Sequence, residues 1–460
     1  MPLALHTRHT LSCLGRLIQA VGVASMLGAT SLHAEPGADA APAQTWQLHA
    51  QSTWIWQHKP AFNAAYSGEH SLSPRHENDH SFSTTLFAGL RLAPGTEVYL
   101  NPEMVAGSPM SNLTGLGGLT NGELQKTSGP HLKLYRARAF LRQTWALGDE
   151  REAVASDANQ LGGDRPVDRV VLTVGNLAVS DLFDVNAVAH DARTQFLNWA
   201  LISNGAYDFA ADARGYSLGA AVEYVRGPWA LRAGRFALPQ TPNASRLDRH
   251  LDRHHGDQIE LERATGLVTG LDGRVRLLWF RNTMRTGRFD EALALADAEG
   301  GTPDTASVRR RQAKQGWGLS MDQALSDELS VFARTARSDG RTEVEAFAEI
   351  DRSLSMGAVL RGQRWGQAND AVGLAWARNA LSSSHRRYLA AGGSGFFVGD
   401  GALNYRAESI TELYYSLALP DLQPLRHSAL TLDVQHVANP AYNRNRGPVR
   451  MLAVRLHSDI

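Results

Sequence analysis

Cysteine is nearly absent: the 460-residue chain has one, Cys13. An extracellular scaffold stapled by disulfides is therefore excluded, since one intrachain bridge already needs two thiols. Lysine is almost as scarce, at positions 59, 126, 133 and 314 only, although lysine and arginine together number 46. Arginine thus carries nearly all the positive charge, and its planar fork makes bidentate bonds and stacks on rings. A GC-rich genome would give the same bias. Excess charge is missing too: 46 acidic residues balance the 46 basic ones. Nucleic acid as a partner is disfavoured, because it usually goes with a basic surplus. Long apolar runs are also lacking. Beyond residue 34 no stretch approaches the roughly 20 apolar residues of a membrane-spanning helix.

What the N-terminus does contain sets the compartment. Residues 1–16 hold Arg8 and Arg16 and no acid, "LIQAVGVASMLGATSL" is apolar and small, and "SLHA" places Ala34 at a cleavage point. This pattern reads as a secretory signal peptide over 1–34. Cys13 precedes the apolar run, so it is not placed like a lipoprotein cysteine, and the mature chain would have no thiol. Two exported classes fit: a soluble β-protein, or a membrane β-barrel. A barrel escapes hydropathy because only every second residue of a strand meets lipid.

Two-residue alternation is frequent. "SFSTTLFAGLRL" sets Phe82, Leu86, Ala88, Leu90 and Leu92 on one face, and "GYSLGAAVEYV" sets Leu218, Ala220, Val222 and Tyr224 on one face. "ALTLDVQH" and "VRMLAVRLHSDI" alternate in the same way. Less regular segments begin near Trp46, Glu97, Leu132, Arg169, Trp229, Arg274, Gly316, Glu328, Thr342, Met356, Val372 and Ile410. The total is roughly sixteen candidates, spaced as ten-residue strands joined by turns and loops would be. "RLAPGTEV" (91–98) and "YVRGPWAL" (224–231) read as short turns. The long polar stretches 148–168, 239–263 and 285–315 read as surface loops, and the glycine run 390–401 as a flexible loop tip. Trp46, Trp54, Trp56, Trp229, Trp279, Trp317, Tyr414 and Tyr415 lie near segment ends, as interface girdles require. The chain closes on a strand pattern ending in Ile460, where such barrels usually end in Phe or Trp; the aliphatic residue keeps the lipid-facing parity. Residues 35–460 read as one domain, with 35–44 flexible. The fold class is all-β: a transmembrane antiparallel barrel.

Catalytic and metal signals are weak. His250 and His254 are spaced i, i+4 as a helical metal pair would be, but a charged exterior loop explains them equally well. "HDARTQ" pairs His190 with Asp191, yet no matching set of partners is visible. The glycine run 390–401 lacks the Lys-Ser/Thr of a phosphate loop. Neither an enzyme, a cofactor nor a metal is expected.

Several blocks resemble the carbohydrate-selective porins of the OprB type: "EVYLNPEMVAGSPMSNLTGLGGLTNGE" (97–123), "YRARAFLRQTW" (135–145), 174–224, and "VANPAYNRNRGPVRMLAVRLH" (437–457). The resemblance implies a bacterial outer-membrane channel for mono- or oligosaccharides, of sixteen strands, surrounded by outer-membrane lipid, as a monomer or homotrimer. It further implies that "HDARTQFLNWALISNGAYDF" (190–209) belongs to an inward-folded constriction segment. Phe196, Leu197, Ala200 and Leu201 have helical spacing there, and irregular backbone is tolerable at membrane depth only inside the lumen. A sugar offers hydroxyls and apolar C–H faces, so a sugar pore should mix donors, acceptors and aromatic plates. On that reasoning Arg193 and Arg214 would donate, Glu103, Asp191 and Asp208 would accept, and Trp199 or Tyr207 would stack. Asn198 and Asn204 would do both, and Arg136 and Arg138 would face the lumen beside Arg142. Each of these polar residues could instead pin the segment to the wall, and Phe196 and Trp199 could anchor it. The alternatives are a barrel for another small solute, an outer-membrane barrel enzyme such as a lipid hydrolase, and an exported glycan-binding β-protein.

Overall fold

The computed structural model describes residues 43–460 apart from 125 and 348. The expected signal peptide 1–34, and the expected flexible stretch up to residue 42, lie outside the described residues. The wall consists of β1 (Trp46–Lys59), β2 (Glu77–Ala93), β3 (Thr96–Ser108), β4 (Lys133–Ala146), β7 (Arg169–Leu177), β8 (Ser217–Arg226), β9 (Trp229–Ala237), β10 (His255–Ala264), β11 (Gly273–Thr286), β12 (Arg310–Ala324), β13 (Leu329–Ser338), β14 (Arg352–Gly362), β15 (Gln367–Ala380), β16 (Glu408–Ala418), β17 (Arg426–Ala438) and β18 (Val449–Asp459). These sixteen strands form a closed barrel, each pairing antiparallel with its neighbours, and β18 returns to β1. The seam holds Trp54 opposite Leu456, and Ala50 and Ile460 exchange both amide bonds at 2.8 and 3.1 Å. A small hairpin, β5 (Arg151–Val154) with β6 (Gly163–Pro166), stands apart from the wall.

Alternation sorts the side chains. Leu90, Leu100, Leu277, Leu319, Leu374 and Leu432 are exposed outward. Thr53, Gln57, Ser83, Thr85, Glu260, Asn379, Glu412 and Gln435 are buried inward. An apolar outside with a polar inside is the arrangement lipid demands. Trp46, Trp229, Trp279, Trp317 and Tyr415 are exposed on the outer face, as girdle residues should be, whereas Tyr414 points inward and is buried.

The expected sixteen candidates and the sixteen observed strands differ by one exchange. The segment near Thr342 is a folded loop, and β10 occupies the end of the stretch 239–263 expected as a surface loop. In β10, Ile259 and Leu261 face out while Gln258, Glu260 and Glu262 are buried within, so its charged residues disguise a wall strand. The turns at 94–95 and 227–228 are where they were expected, and Gly95 takes a φ of +73° that its turn needs. The stretch 148–168 lies at the short-turn end with the termini, not among the long loops, because β4 runs toward that end. The glycine run 390–401 is not an exposed tip either. Phe397 and Val398 are buried and donate their amides to Glu349 Oε2 at 2.8 and 3.1 Å, and a Cβ on Gly395 would strike the same carboxylate.

Candidate functional site: a constriction between an inward loop and the β2–β4 wall

The loop 178–216, which follows β7 at the long-loop end, turns back into the lumen. Local chemistry shapes it. Asp191 accepts from the Arg193 amide at 3.0 Å and the Thr194 hydroxyl at 3.2 Å, and Gln195 Oε1 accepts from the amides of His190 and Asp191. Asn198 then caps α1 (Trp199–Ile202), its Oδ1 accepting from Ala200 N at 3.0 Å. The expected apolar face is real: Phe196, Leu197, Ala200 and Leu201 are fully buried, and Phe196 meets the rings of Phe332 and Tyr414 at 5.7 and 5.0 Å.

Wall side chains fasten this face. Glu412 accepts from the amides of Leu197 and Asn198 at 2.5 and 2.8 Å. Arg455 donates to Ala192 O at 2.6 Å and Arg334 to Leu201 O at 2.7 Å. These residues belong to β16, β18 and β13, so the loop is drawn to one side and the passage is displaced toward β2–β4 on the other.

On that other side the charges converge. Glu103, on β3, is buried and accepts from Thr85 at 2.6 Å, from Tyr216 at 3.1 Å and from Tyr135. Arg193 reaches over from the loop to Glu123 at 3.0 Å, Glu103 at 3.5 Å and Asp191 at 3.9 Å. Burial opposes its charge, but Glu123, Asp191 and Glu103 outweigh that and hold the guanidinium above its ordinary range. Burial likewise raises the Glu123 carboxyl, against the pull of Arg193. Arg138 grips Asp181 through two bonds of 2.6 and 2.7 Å and lies over the Tyr216 ring at 5.3 Å. Arg214 pairs with Asp212 at 2.8 Å.

Two cavities meet here. The one toward the long loops, about 140 Å3, is lined by Glu123, Arg193, Arg214, Trp199, Phe209 and Phe347 among others. Phe347 lies 4.0 Å from Trp199 and 4.1 Å from Phe209, centroid to centroid. Lys126 Nζ sits 5.6 Å from the Phe347 centroid and 5.3 Å from that of Phe397; burial pulls this ammonium down to about 7, opposed by Asp208 and Asp212. The cavity toward the short turns, about 1460 Å3, is lined by Asp181, Leu182, Phe183 and His190 from the same loop. Ala178 and Ser180 line the first cavity and Asp181 and Leu182 the second, so the turn Val179–Asp181, tied by Arg138, divides them.

A family profile for "Carbohydrate-selective porin, OprB family" matches residues 69–459. The chain belongs to that family. A comparison with curated proteins returns no match. The high-pH structure of Pseudomonas putida OprB is similar at TM-score 0.68 and 14% identity, covering 90% of this chain and 94% of that one. Acinetobacter baumannii OccAB1 is less similar, at TM-score 0.48 and 8% identity over 92% and 99%. This porin is therefore a channel of the bacterial outer membrane and not an enzyme.

Within the porin, the residues expected to face solute divide into three groups. Glu103, Arg138, Asp191, Arg193, Trp199 and Arg214 surround the constriction or its cavities. Asn198, Asn204, Tyr207 and Asp208 are buried anchors. Asn198 donates to Gln435, Asn204 donates twice to Asp184, Tyr207 packs on Phe280, and Asp208 accepts three amides from 345–347 plus Lys314. Arg136 lies on the outer face. A register shift in β4 leaves Ala137 unpaired, so Arg136 opposes Pro102 rather than sharing the inward face of Arg138 and Arg142. Glu123, Lys126, Tyr135, Tyr216 and Phe347 escaped the sequence reading. All five lie outside the segment 190–209 singled out for its polar-aromatic mixture, and only the fold brings them to it.

Proposed function

We propose that this porin lets carbohydrates diffuse passively into the periplasm, with preference over other small solutes. The observation that carries the reading is the small cavity above the constriction. It sets paired charges, Arg193 with Glu123 and Arg214 with Asp212, around a tilted stack of Trp199, Phe347 and Phe209. Pairs of opposite sign supply donors and acceptors to hydroxyls without favouring a net charge, and ring faces suit C–H surfaces. Binding must stay weak for solute to leave. The outward leucine belt takes outer-membrane lipid as its surroundings, and the segment 1–34 serves as the export signal.

Ion current through single barrels in a planar bilayer tests this. Glucose is expected to lower the current more than an equal concentration of urea does. In Phe347→Ala the sugar concentration giving half-block should rise by roughly 2- to 10-fold, matching about 0.5–1.5 kcal/mol for one aromatic contact. Equal effects of glucose and urea would remove the sugar preference and leave a general small-solute porin.

A further inference from the structure

Loop 147–168 is unusual in its position and its direction. It follows β4 at the short-turn end, which is periplasmic in barrels of this type, where the other six connections each span two to eight residues by the strand bounds. Its hairpin β5–β6 carries a turn in which Asp157 and Gln160 exchange amide bonds of 3.0 and 2.9 Å. That turn does not hang into the periplasm. Gln47 Nε2 donates to Asp157 O at 2.9 Å, His49 meets Ser156 Oγ at 3.0 Å, and Arg142 donates to Asn159 O at 2.9 Å. Asn101 Nδ2 donates to Asn159 Oδ1 at 2.9 Å, and the Leu161 amide donates to Tyr99 OH at 3.2 Å. All five wall partners point into the lumen. Asn101 is only two residues along β3 from Glu103 of the constriction, so the loop rises inside the barrel almost to that level. Leu161 is buried in one apolar cluster with Phe183 of the inward loop and Tyr99 and Phe140 of the wall.

The larger cavity lies between this turn and the inner faces of β4, β7 and β8. Asp157, Asn159 and Gln160 line it on one side and Arg142, Arg169 and Glu223 on the other. Asn101 Oδ1 is buried without a partner among the described residues. A loop that merely joined β4 to β7 would need none of this: Ala146 and Arg169 are paired neighbours, and two residues would connect them.

We infer that loop 147–168 is a second solute-selecting element, a plug entering from the periplasmic side. Solute that has passed the constriction next meets the carbonyls, amides and arginines between the plug and the β4–β8 wall, and the plug sets the largest carbohydrate that leaves. The inference rests on the channel reading above. Two experiments test it. In the first, 147–168 is replaced by Pro-Gly, the pair that joins β2 to β3. Heat-modifiable gel mobility reports the barrel. Single-channel ion conductance should rise at least twofold, and liposome swelling with maltotriose should accelerate more than with glucose. An intact barrel with unchanged conductance would overturn the plug. The second experiment does not depend on the deletion folding. The described residues contain no cysteine, so Asn159→Cys and Glu150→Cys each introduce a single thiol. A negatively charged methanethiosulfonate reagent should lower the current through Asn159→Cys and leave Glu150→Cys, on the exposed approach to the hairpin, unaffected. Complete modification of Asn159→Cys, checked by mass, with no change in current would overturn the inference. Both readouts are ion currents, so they stand even if wild-type barrels show no sugar preference.

Discussion

At the scale of single residues, two aspartates on one loop illustrate what composition does not reveal. Asp191 and Asp208 are both acids in a segment mixed with Arg, Asn and aromatics, and either suits a sugar hydroxyl. The fold gives them different surroundings. Asp191 is 40% exposed at its side chain, beside Arg193 at the pore. Asp208 is 3% exposed, accepts the amides of Glu345, Ala346 and Phe347 at 2.8–2.9 Å, and faces the buried Lys314 ammonium at 2.9 Å. Burial would raise its pKa, but Lys314 and these donors hold it below its ordinary value. Asp208→Ala would leave Lys314 without its carboxylate and three amides unpaired. A loss of about 3–5 kcal/mol is expected, read from denaturant unfolding by gel mobility. Asp191→Ala should cost under about 1 kcal/mol, because its pairing is screened by pore water, and should instead change single-channel conductance. If both variants unfolded alike, the division into anchor and pore residue would be wrong. Sequence could supply the residue types; which carboxylate faces water depends on contacts 137 to 139 residues apart.

At the scale of elements, strands were legible because lipid enforces alternation along each one. The exception, β10, inverts the usual weighting: its glutamates point into a charged lumen where Arg232 and Arg276 meet Glu260 and Glu262. Loops were legible only as gaps, since nothing local says whether a polar stretch leaves the barrel or enters it. The loops 287–309, 339–351 and 381–407 show the consequence. α2 (Phe289–Glu299) and α3 (Ser383–Ala390) pack together above the lumen, with Phe289 stacked on His385 at 4.2 Å. His385 is buried between Asp351 at 3.0 Å and Glu349 at 3.2 Å. Burial lowers its pKa, but the two carboxylates outweigh that and lift it to about 9. A folded-state pKa above the unfolded value near 6.5 means stabilisation that is complete below about 6.5 and lost as pH rises through about 9. Its size is on the order of 3 kcal/mol. Protease cleavage within 381–407 should therefore accelerate between pH 8 and about 10 in the wild type, and His385→Gln should cleave readily across the range. A wild-type rate that tracked only the protease's own pH profile would show that this imidazolium does not hold the loops.

At the scale of the whole molecule, sixteen strands in one sheet fix which face meets lipid, and one side chain can be used to ask both faces the same question. Leu374 lies mid-strand on β15, 53% exposed and outward. Val171, on β7, pairs with Thr144 and lines the larger cavity. Arginine at position 374 would have to put a guanidinium among acyl chains, at a cost of about 2–4 kcal/mol near the bilayer midplane. Arginine at 171 would enter a water-filled chamber that already holds Arg142 and Arg169, so less than about 1 kcal/mol should be lost. Unfolding of Leu374→Arg and Val171→Arg in lipid vesicles, followed by gel mobility, separates the two. In a soluble sandwich the order would reverse, because the outward position would meet water and the inward one a dry core. The apolar side chains that do lie inside this barrel pack the inward loop to the wall: Phe196, Leu201 and Phe183 of the loop share clusters with inward-facing wall residues such as Phe332, Tyr414 and Phe236. They narrow the pore without changing which face is greasy. Val171→Arg should accordingly fold and insert like the wild type while altering conductance, which is the behaviour of a channel wall.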